Sequence, residues 1–289
     1  MASSSVKIVR TVKDLREQIK IWQRQDLKVG LIPTMGALHH GHLSIIKQIQ
    51  QQVDRTVVSI FVNPKQFGPN EDFSKYPRQE AADLAQLEKV DTDLLFAPDV
   101  GEVYPQGFLT NVSIEGLTTI LCGAKRPGHF DGVTTIVSKL LLQCLPDVAI
   151  FGEKDYQQYV VLKQLVKDLD IPTKVIGGKL VRDPDGLATS SRNVYLSTEE
   201  RQVALELNKT LANIAQTLEK GEMTIERALS TGMAHLLNAG FREIQYLEIR
   251  DEENLDEVTE EIRRPARVLV AAMLGNTRLI DNRAIRVSA

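Results

Sequence analysis

Val29-Gly30-Leu31-Ile32-Pro33 runs directly into Thr34-Met35-Gly36-Ala37-Leu38-His39-His40-Gly41-His42, and Leu43, Ile46, Ile49 and Val53 follow at spacings of three and four. The opening run is continuously apolar, as a strand buried on both faces of a parallel sheet must be. The last four residues fall on one face of a helix. Gly36 breaks the strand between them. A strand, a glycine-bearing turn and a helix in this order open an α/β unit.

The same alternation continues outward. Val57-Val58-Ser59-Ile60-Phe61-Val62, Leu94-Leu95-Phe96-Ala97, Val148-Ala149-Ile150-Phe151 and Lys174-Val175-Ile176 read as further buried strands. Leu84, Leu87 and Val90 mark one intervening helix, and Tyr159, Leu162, Leu165, Val166 and Leu169 mark another. The pattern predicts a doubly wound parallel-sheet, Rossmann-like domain over residues 1–184, with ligands outside the carboxyl ends of the strands. After Asn193 the character changes. Ser197 and Glu200 form a capping box for a helix running to about Lys220 and ended by Gly221. A second helix over residues 224–238 stops at Gly240, and residues 244–249 and 267–273 read as strands. A smaller α+β domain over residues 185–289 is expected. The sequence shows neither internal repeat nor low-complexity segment.

Composition narrows the function classes. The 289 residues are 43% hydrophobic and 25% charged, with a formal net charge of -3. That balance suits a packed protein and gives no basic field for nucleic acid. Cys122 and Cys144 are too few and too far apart for a disulfide scaffold and read as buried free thiols. Met1 to Ser5 is small and polar, so no secretory leader is expected. The longest apolar runs, such as residues 268–274, are far below the ~20 residues of a membrane span. A reducing, cytoplasmic location without membrane contact is expected.

Four segments carry candidate chemistry, each at or near a strand end. In the first, His39, His40 and His42 flank Gly41 at a helix start, where backbone N–H groups and the helix dipole favour phosphate. The same histidines would suit a metal, although no clear third-ligand motif accompanies them, or a solvated helix start. In the second, Asn63 and Gln66 offer neutral amides for hydroxyl and carboxylate oxygens, or merely close a turn. The third, Gly152-Glu153-Lys154-Asp155 with Gln157 and Gln158, offers a point charge for phosphate, though a solvated charge cluster reads much the same. The fourth, Thr189-Ser190-Ser191-Arg192, sets hydroxyls before a guanidinium, suited to phosphate or to capping a helix.

With these segments in order, the chain resembles the pantothenate synthetase family, the AMP-forming pantoate–β-alanine ligases among the His-x-Gly-His nucleotidyltransferases. Tyr76-Pro77-Arg78, Arg126-Pro127-Gly128-His129-Phe130 and Thr277-Arg278-Leu279-Ile280-Asp281-Asn282 extend the resemblance from about Val9 to Asn282. It implies condensation of pantoate with β-alanine through a pantoyl adenylate, releasing pyrophosphate and AMP. It also implies that Met35, Gly36, Ala37, Leu38, His39, His40, Gly41 and His42 bind ATP, with His42 the usual proton donor. Gly152, Glu153, Lys154, Asp155 and Val181 would hold adenosine, Lys154 also reaching phosphate. Thr189, Ser190, Ser191 and Arg192 would close over the triphosphate. His42, His39, Lys154 and Arg192 are the residues implied in catalysis; Gln66 would meet pantoate and lie near the β-alanine position, with Asn63 supporting this part of the site, and Gln158 would bind pantoate. Mg2+ is expected with the nucleotide, Asp83 helping to hold it. A homodimer and a gate near residues 69–77 and in the second domain complete what is expected.

One departure is Thr189, where the family more often carries a larger apolar residue. The nearest rival is another adenylyl- or cytidylyltransferase of the superfamily, told apart by β-alanine dependence. An RNA-binding relative of the tRNA synthetases conflicts with the acidic balance.

Overall fold

The computed structural model describes residues 6–69 and 71–286. Met1 to Ser5, and Asn70 in the expected gate, lie outside the described residues. The chain divides into two compact units, one of Met1–Glu153 with Val161–Lys179, the other of Lys154–Val160 with Leu180–Ala289. The main division thus falls at 179/180, a few residues before 184/185. The second unit also takes a short strip from the middle of the chain.

In chain order the first part runs β1 (Lys7–Val9), α1 (Val12–Arg24), β2 (Val29–Thr34), α2 (His40–Ile49), β3 (Arg55–Ile60), α3 (Glu80–Glu88) and β4 (Leu94–Phe96). There follow α4 (Val100–Val103), α5 (Leu121–Lys125), α6 (His129–Cys144), β5 (Val148–Gly152), α7 (Tyr156–Asp168) and β6 (Lys174–Gly178). The five runs read from the sequence as strands are β2 to β6. The six strands form one sheet in the order β1-β4-β3-β2-β5-β6, every pairing parallel. From β2 the chain steps one way to β3 and β4, then returns to β5 and steps the other way to β6. The switch point lies between β2 and β5, and a doubly wound sheet opens its ligand crevice outside the carboxyl ends of such a pair.

The continuous apolar runs have the burial they require. Ile32, Val58, Leu95 and Ile150 from the sheet pack with Ile46 and Ile49 of α2 and Leu87 of α3. Each such side chain contributes roughly 1.5–3 kcal/mol on burial. Cys122 and Cys144 are buried and unpaired with each other. Among the described residues no helix is long and apolar enough to cross a membrane.

The second unit comprises α8 (Thr198–Glu219), α9 (Ile225–Ala239), β7 (Glu243–Asp251), β8 (Ala266–Leu274) and β9 (Thr277–Ile285). Ser197 caps α8 with Glu200 completing the box, and Gly240 ends α9 in the left-handed region at φ 115°. The three strands form an antiparallel sheet, β7-β8-β9. Its apolar face packs on Leu207, Leu211 and Ile214 of α8 and Leu236 of α9.

The central strip joins this unit through specific bonds. The Tyr156 hydroxyl donates to the Glu252 carbonyl at 2.8 Å, and the Arg267 guanidinium lies 4.0 Å from the Tyr156 ring centroid. Asn282 Nδ2 donates to the Lys154 carbonyl at 3.0 Å.

Candidate active site

The site residues of the first unit begin where β2 ends. Thr34 Oγ1 donates to the Ser59 carbonyl at 2.8 Å and accepts the Gly36 N–H at 3.2 Å. Gly36 (φ 80°) and Ala37 (φ 51°) then turn the chain through the left-handed region, which an alanine occupies only under constraint. Asp83, on α3, supplies the constraint: its Oδ2 accepts the Ala37 N–H at 2.9 Å and its Oδ1 the Leu38 N–H at 2.7 Å. Asp83 is 1% exposed, and a Cβ at Gly36 would sit 2.9 Å from its Oδ2. The turn therefore needs both a glycine and this carboxylate.

His39 is the extended N-cap of α2, and its backbone N–H donates to His42 Nδ1 at 3.3 Å. A backbone amide can only donate, so Nδ1 accepts and a neutral His42 carries its proton on Nε2. The His39 and His42 rings lie 4.0 Å apart, whereas His40 is exposed. The first-turn N–H groups of an α-helix have no intrahelical partner, which makes the start of α2 suitable for an anion.

The second segment lies past β3. Pro64–Gln66 is a turn of 3-10 helix capped by Asn63. Asn63 is 1% exposed and all four of its hydrogen-bonding positions are taken. Its Nδ2 donates to Gln66 Oε1 and to the Gly132 carbonyl, both at 3.0 Å. Its Oδ1 accepts from the Tyr104 hydroxyl at 2.8 Å and from the Lys65 N–H at 3.3 Å. Asn63 therefore supports Gln66. Gln66 in turn places Nε2 3.2 Å from Met35 Sδ, in the turn that leads to His42.

The backbone of Gln66 is held as well. Arg126 directs a guanidinium N–H at His129 Nε2, 2.9 Å away, so that nitrogen accepts and Nδ1–H donates to the Gln66 carbonyl at 2.8 Å. Glu71 grips Arg126 with both oxygens at 2.6 Å. Burial alone would raise the Glu71 carboxyl, but the hydrogen bonds and charge of Arg126 overcome it and hold the group below the usual carboxylate value. Gly132, on α6, lets this helix lie directly on residues 65–66, because a Cβ there would collide with the Lys65 carbonyl.

Gly152 closes β5 beside Gly178 of β6, and Glu153 follows it. In the second unit, the Lys154 side chain is 20% exposed and lies 3.9 Å from Asp155. Gln158 is half-buried on α7, within the strip described above. The Val181 carbonyl accepts the Thr189 N–H at 3.0 Å, and Ser190 Oγ accepts the Arg192 N–H at 3.3 Å at the start of the 3-10 segment Ser191–Tyr195. Thr189 Oγ1 donates to Asp183 at 2.6 Å, and Asp183 with Asp185 brackets Arg201 at 2.7 and 2.8 Å. A larger apolar residue, the kind expected at 189 from the resemblance, would have no hydroxyl for that link, which in this chain is a polar anchor just before the Ser190–Arg192 segment.

The structure thus brings residues 34–42, Asp83, Asn63 and Gln66 into one cluster. Lys154, Asp155, Gln158, Val181 and residues 189–192 belong to the other unit. Sequence reading missed the Asp83 clamp on the turn, Tyr104, and the Glu71–Arg126–His129 chain behind Gln66. Among the described residues no group of three His, Cys, Asp or Glu side chains could hold a metal ion.

Comparison with known proteins shows the family. The model of the family described as pantoate-beta-alanine ligase matches residues 7–284. A pantothenate synthetase of Paramagnetospirillum magneticum is 53% identical over 280 residues, which is 97% of this chain and 98% of that one. A pantothenate synthetase of Rhodospirillum rubrum is 51% identical over 275 residues, with 95% and 97% covered. Among solved structures, pantothenate synthetase from Thermus thermophilus superposes with a TM-score of 0.89 at 43% identity, covering 96% of this chain and 99% of that one. A Francisella tularensis pantoate-beta-alanine ligase, complexed with beta-gamma ATP and beta-alanine, gives a TM-score of 0.79 at 35% identity, with 96% and 97% covered.

Proposed function

This chain belongs to the pantoate–β-alanine ligase family, and from that premise we propose how it joins pantoate to β-alanine with ATP and which residues carry the reaction. A pantoate carboxylate oxygen attacks the α-phosphorus of ATP, the bond from that phosphorus to the pyrophosphate oxygen breaks, and pantoyl adenylate forms. The β-alanine amine then attacks the acyl carbon, the bond to AMP breaks, and pantothenate and AMP leave. Neither step calls for a protein nucleophile. Both call for alignment and for neutralisation of phosphate charge.

The contact that carries this reading is the 3.2 Å approach of Gln66 Nε2 to Met35 Sδ. It sets an amide N–H donor for a substrate oxygen beside the turn that leads into the His-x-Gly-His helix. Gln66 would hold pantoate, with Asn63 behind it and Gln158 added by the resemblance. His42, through Nε2–H, and His39 would meet the phosphates at the start of α2. The resemblance supports Gly152, Glu153, Asp155 and Val181 at adenosine, Lys154 and Arg192 at phosphate, and Thr189, Ser190 and Ser191 beside them.

Both Asp83 oxygens accept backbone N–H groups. Mg2+ would therefore arrive held by phosphate oxygens and water, as a hard ion that dehydrates reluctantly does. When bound it neutralises phosphate charge. A cytoplasmic homodimer belongs to the same reading; sedimentation of the purified chain tests the dimer.

Pantoate labelled with 18O in its carboxylate tests the chemistry. One label should appear in AMP, and only when β-alanine is present. Label in inorganic phosphate accompanied by ADP would replace the adenylate with an acyl phosphate.

A further inference from the structure

Tyr104 stands just past α4 and is 41 residues from Asn63 in the chain, yet its hydroxyl makes the shortest of the four hydrogen bonds to the Asn63 amide, 2.8 Å against 3.0, 3.0 and 3.3 Å. The Lys65 N–H can only donate and the Gly132 carbonyl can only accept, so these backbone groups settle which end of the amide is oxygen. Lys65 is the more distant of the two donors to that oxygen. The Tyr104 hydroxyl is what holds the oxygen closely, in a place where a buried acceptor left short of a partner is costly.

The Asn63 amide transmits that position to Gln66 Oε1. That bond fixes which end of the Gln66 amide is oxygen and turns the NH2 end to Met35, where one N–H meets Sδ at 3.2 Å and the other is a donor for a carboxylate or hydroxyl oxygen of the substrate. The Tyr104 ring is itself fixed. It packs on Phe61 at 6.0 Å and Phe108 at 5.1 Å, with the Lys65 ammonium 5.4 Å from its centroid. Burial pushes the phenol further above its ordinary value, so the hydroxyl remains a donor throughout the neutral range.

We propose that Tyr104 is a positioning residue for pantoate: its hydroxyl fixes Asn63, which fixes the Gln66 amide with one N–H toward the substrate. This rests on the reading that Gln66 holds pantoate, and the test separates the two. Tyr104→Phe keeps the ring and removes only the donor. KM for pantoate should rise about five- to tenfold, on the scale of one lost hydrogen bond, with KM for ATP within about twofold and the thermal midpoint lower by only a few degrees. Gln66→Ala should raise KM for pantoate at least as much. The double variant should be no worse than Gln66→Ala alone, because the hydroxyl acts only through that amide.

An unchanged KM for pantoate in Tyr104→Phe, with a raised one in Gln66→Ala, overturns the role of Tyr104 and leaves Gln66 in place. An unchanged KM in Gln66→Ala removes the reading beneath both. Full additivity in the double variant also overturns the relay, since a merely structural loss would add.

Discussion

The backbone N–H of His39 points at Nδ1 of His42 across 3.3 Å, so one residue of the motif sets the tautomer of the other. On the proposed reading, Nε2–H is the group that His42 would present to the nucleotide. An amide replacing His42 can imitate one ring nitrogen but not both. Glutamine reaches the Nε2 position as a donor, whereas asparagine reaches only the Nδ1 position. His42→Gln is expected to keep measurable pyrophosphate release, while His42→Asn and His42→Ala lose ~10²–10³ in rate with unchanged circular dichroism. Equal rates for the glutamine and asparagine variants would show that the tautomer has no bearing on turnover.

Asp83 accepts the N–H groups of adjacent residues one on each oxygen, at 2.9 and 2.7 Å, and a carboxamide has only one such oxygen. Asp83→Asn turns an NH2 group toward one of those donors. A cost of roughly 1–3 kcal/mol is expected, seen as a lower thermal midpoint, together with a raised KM for ATP. Titrating Mg2+ into the variant separates two roles. Excess magnesium should not restore the KM if Asp83 holds the turn, and restoration would return the residue to the metal.

Much of this fold was legible because its buried strands are uninterrupted. β2, β3 and β5 read plainly since both faces are covered and the runs 29–33, 57–62 and 148–151 stay apolar apart from Ser59, itself buried. β9 did not, because Arg278, Asp281, Asn282 and Arg283 break its pattern. Asp281 and Asn282 are nevertheless 3% exposed, paired with Arg182 and Arg267. Tertiary partners overrode the local signal. The site divides in the same way. His39, Gly41 and His42 are adjacent in sequence and announce a helix start, while Asp83 lies 46 residues from Ala37 and Tyr104 lies 41 from Asn63. Those partnerships exist only once the sheet has formed.

The Glu71–Arg126 pair sets an expectation for acid pH. The folded Glu71 carboxyl lies below its ordinary value of 4.5, so the folded state binds fewer protons than the unfolded chain in that window. The stabilisation is complete above the unfolded value and is lost as pH falls through the lower folded one. Urea unfolding of the native chain and of Glu71→Gln should differ at pH 7, the native chain being the more stable. The difference should shrink as pH falls below about 4.5. A gap that stays constant down to pH 3 would mean that the charge of Glu71 is not what stabilises the pair.

Gly132 is the point at which α6 touches the backbone of residues 65–66. Adding one methyl there should push the Gln66 segment outward, at roughly 1–3 kcal/mol for overpacking. Gly132→Ala is expected to lower the thermal midpoint and raise KM for pantoate together, while Gly128→Ala, which has open space for a Cβ but a positive φ, should affect stability alone. Normal pantoate kinetics in Gly132→Ala would show that the helix can retreat without moving the amide.

The strip Lys154–Val160 gives the chain an unusual bookmark. Following the backbone from start to finish, one leaves the first unit after Glu153, re-enters it at Val161, and departs again after Lys179. No single cut can therefore release the smaller unit whole. A fragment begun at Leu180 would contain Arg267 without the Tyr156 ring it lies against, Asn282 without the Lys154 carbonyl, and Glu252 without the Tyr156 hydroxyl. The smaller unit is thus not a cassette that a gene fusion could transplant intact; its heredity is tied to a seven-residue loan from the middle of its neighbour.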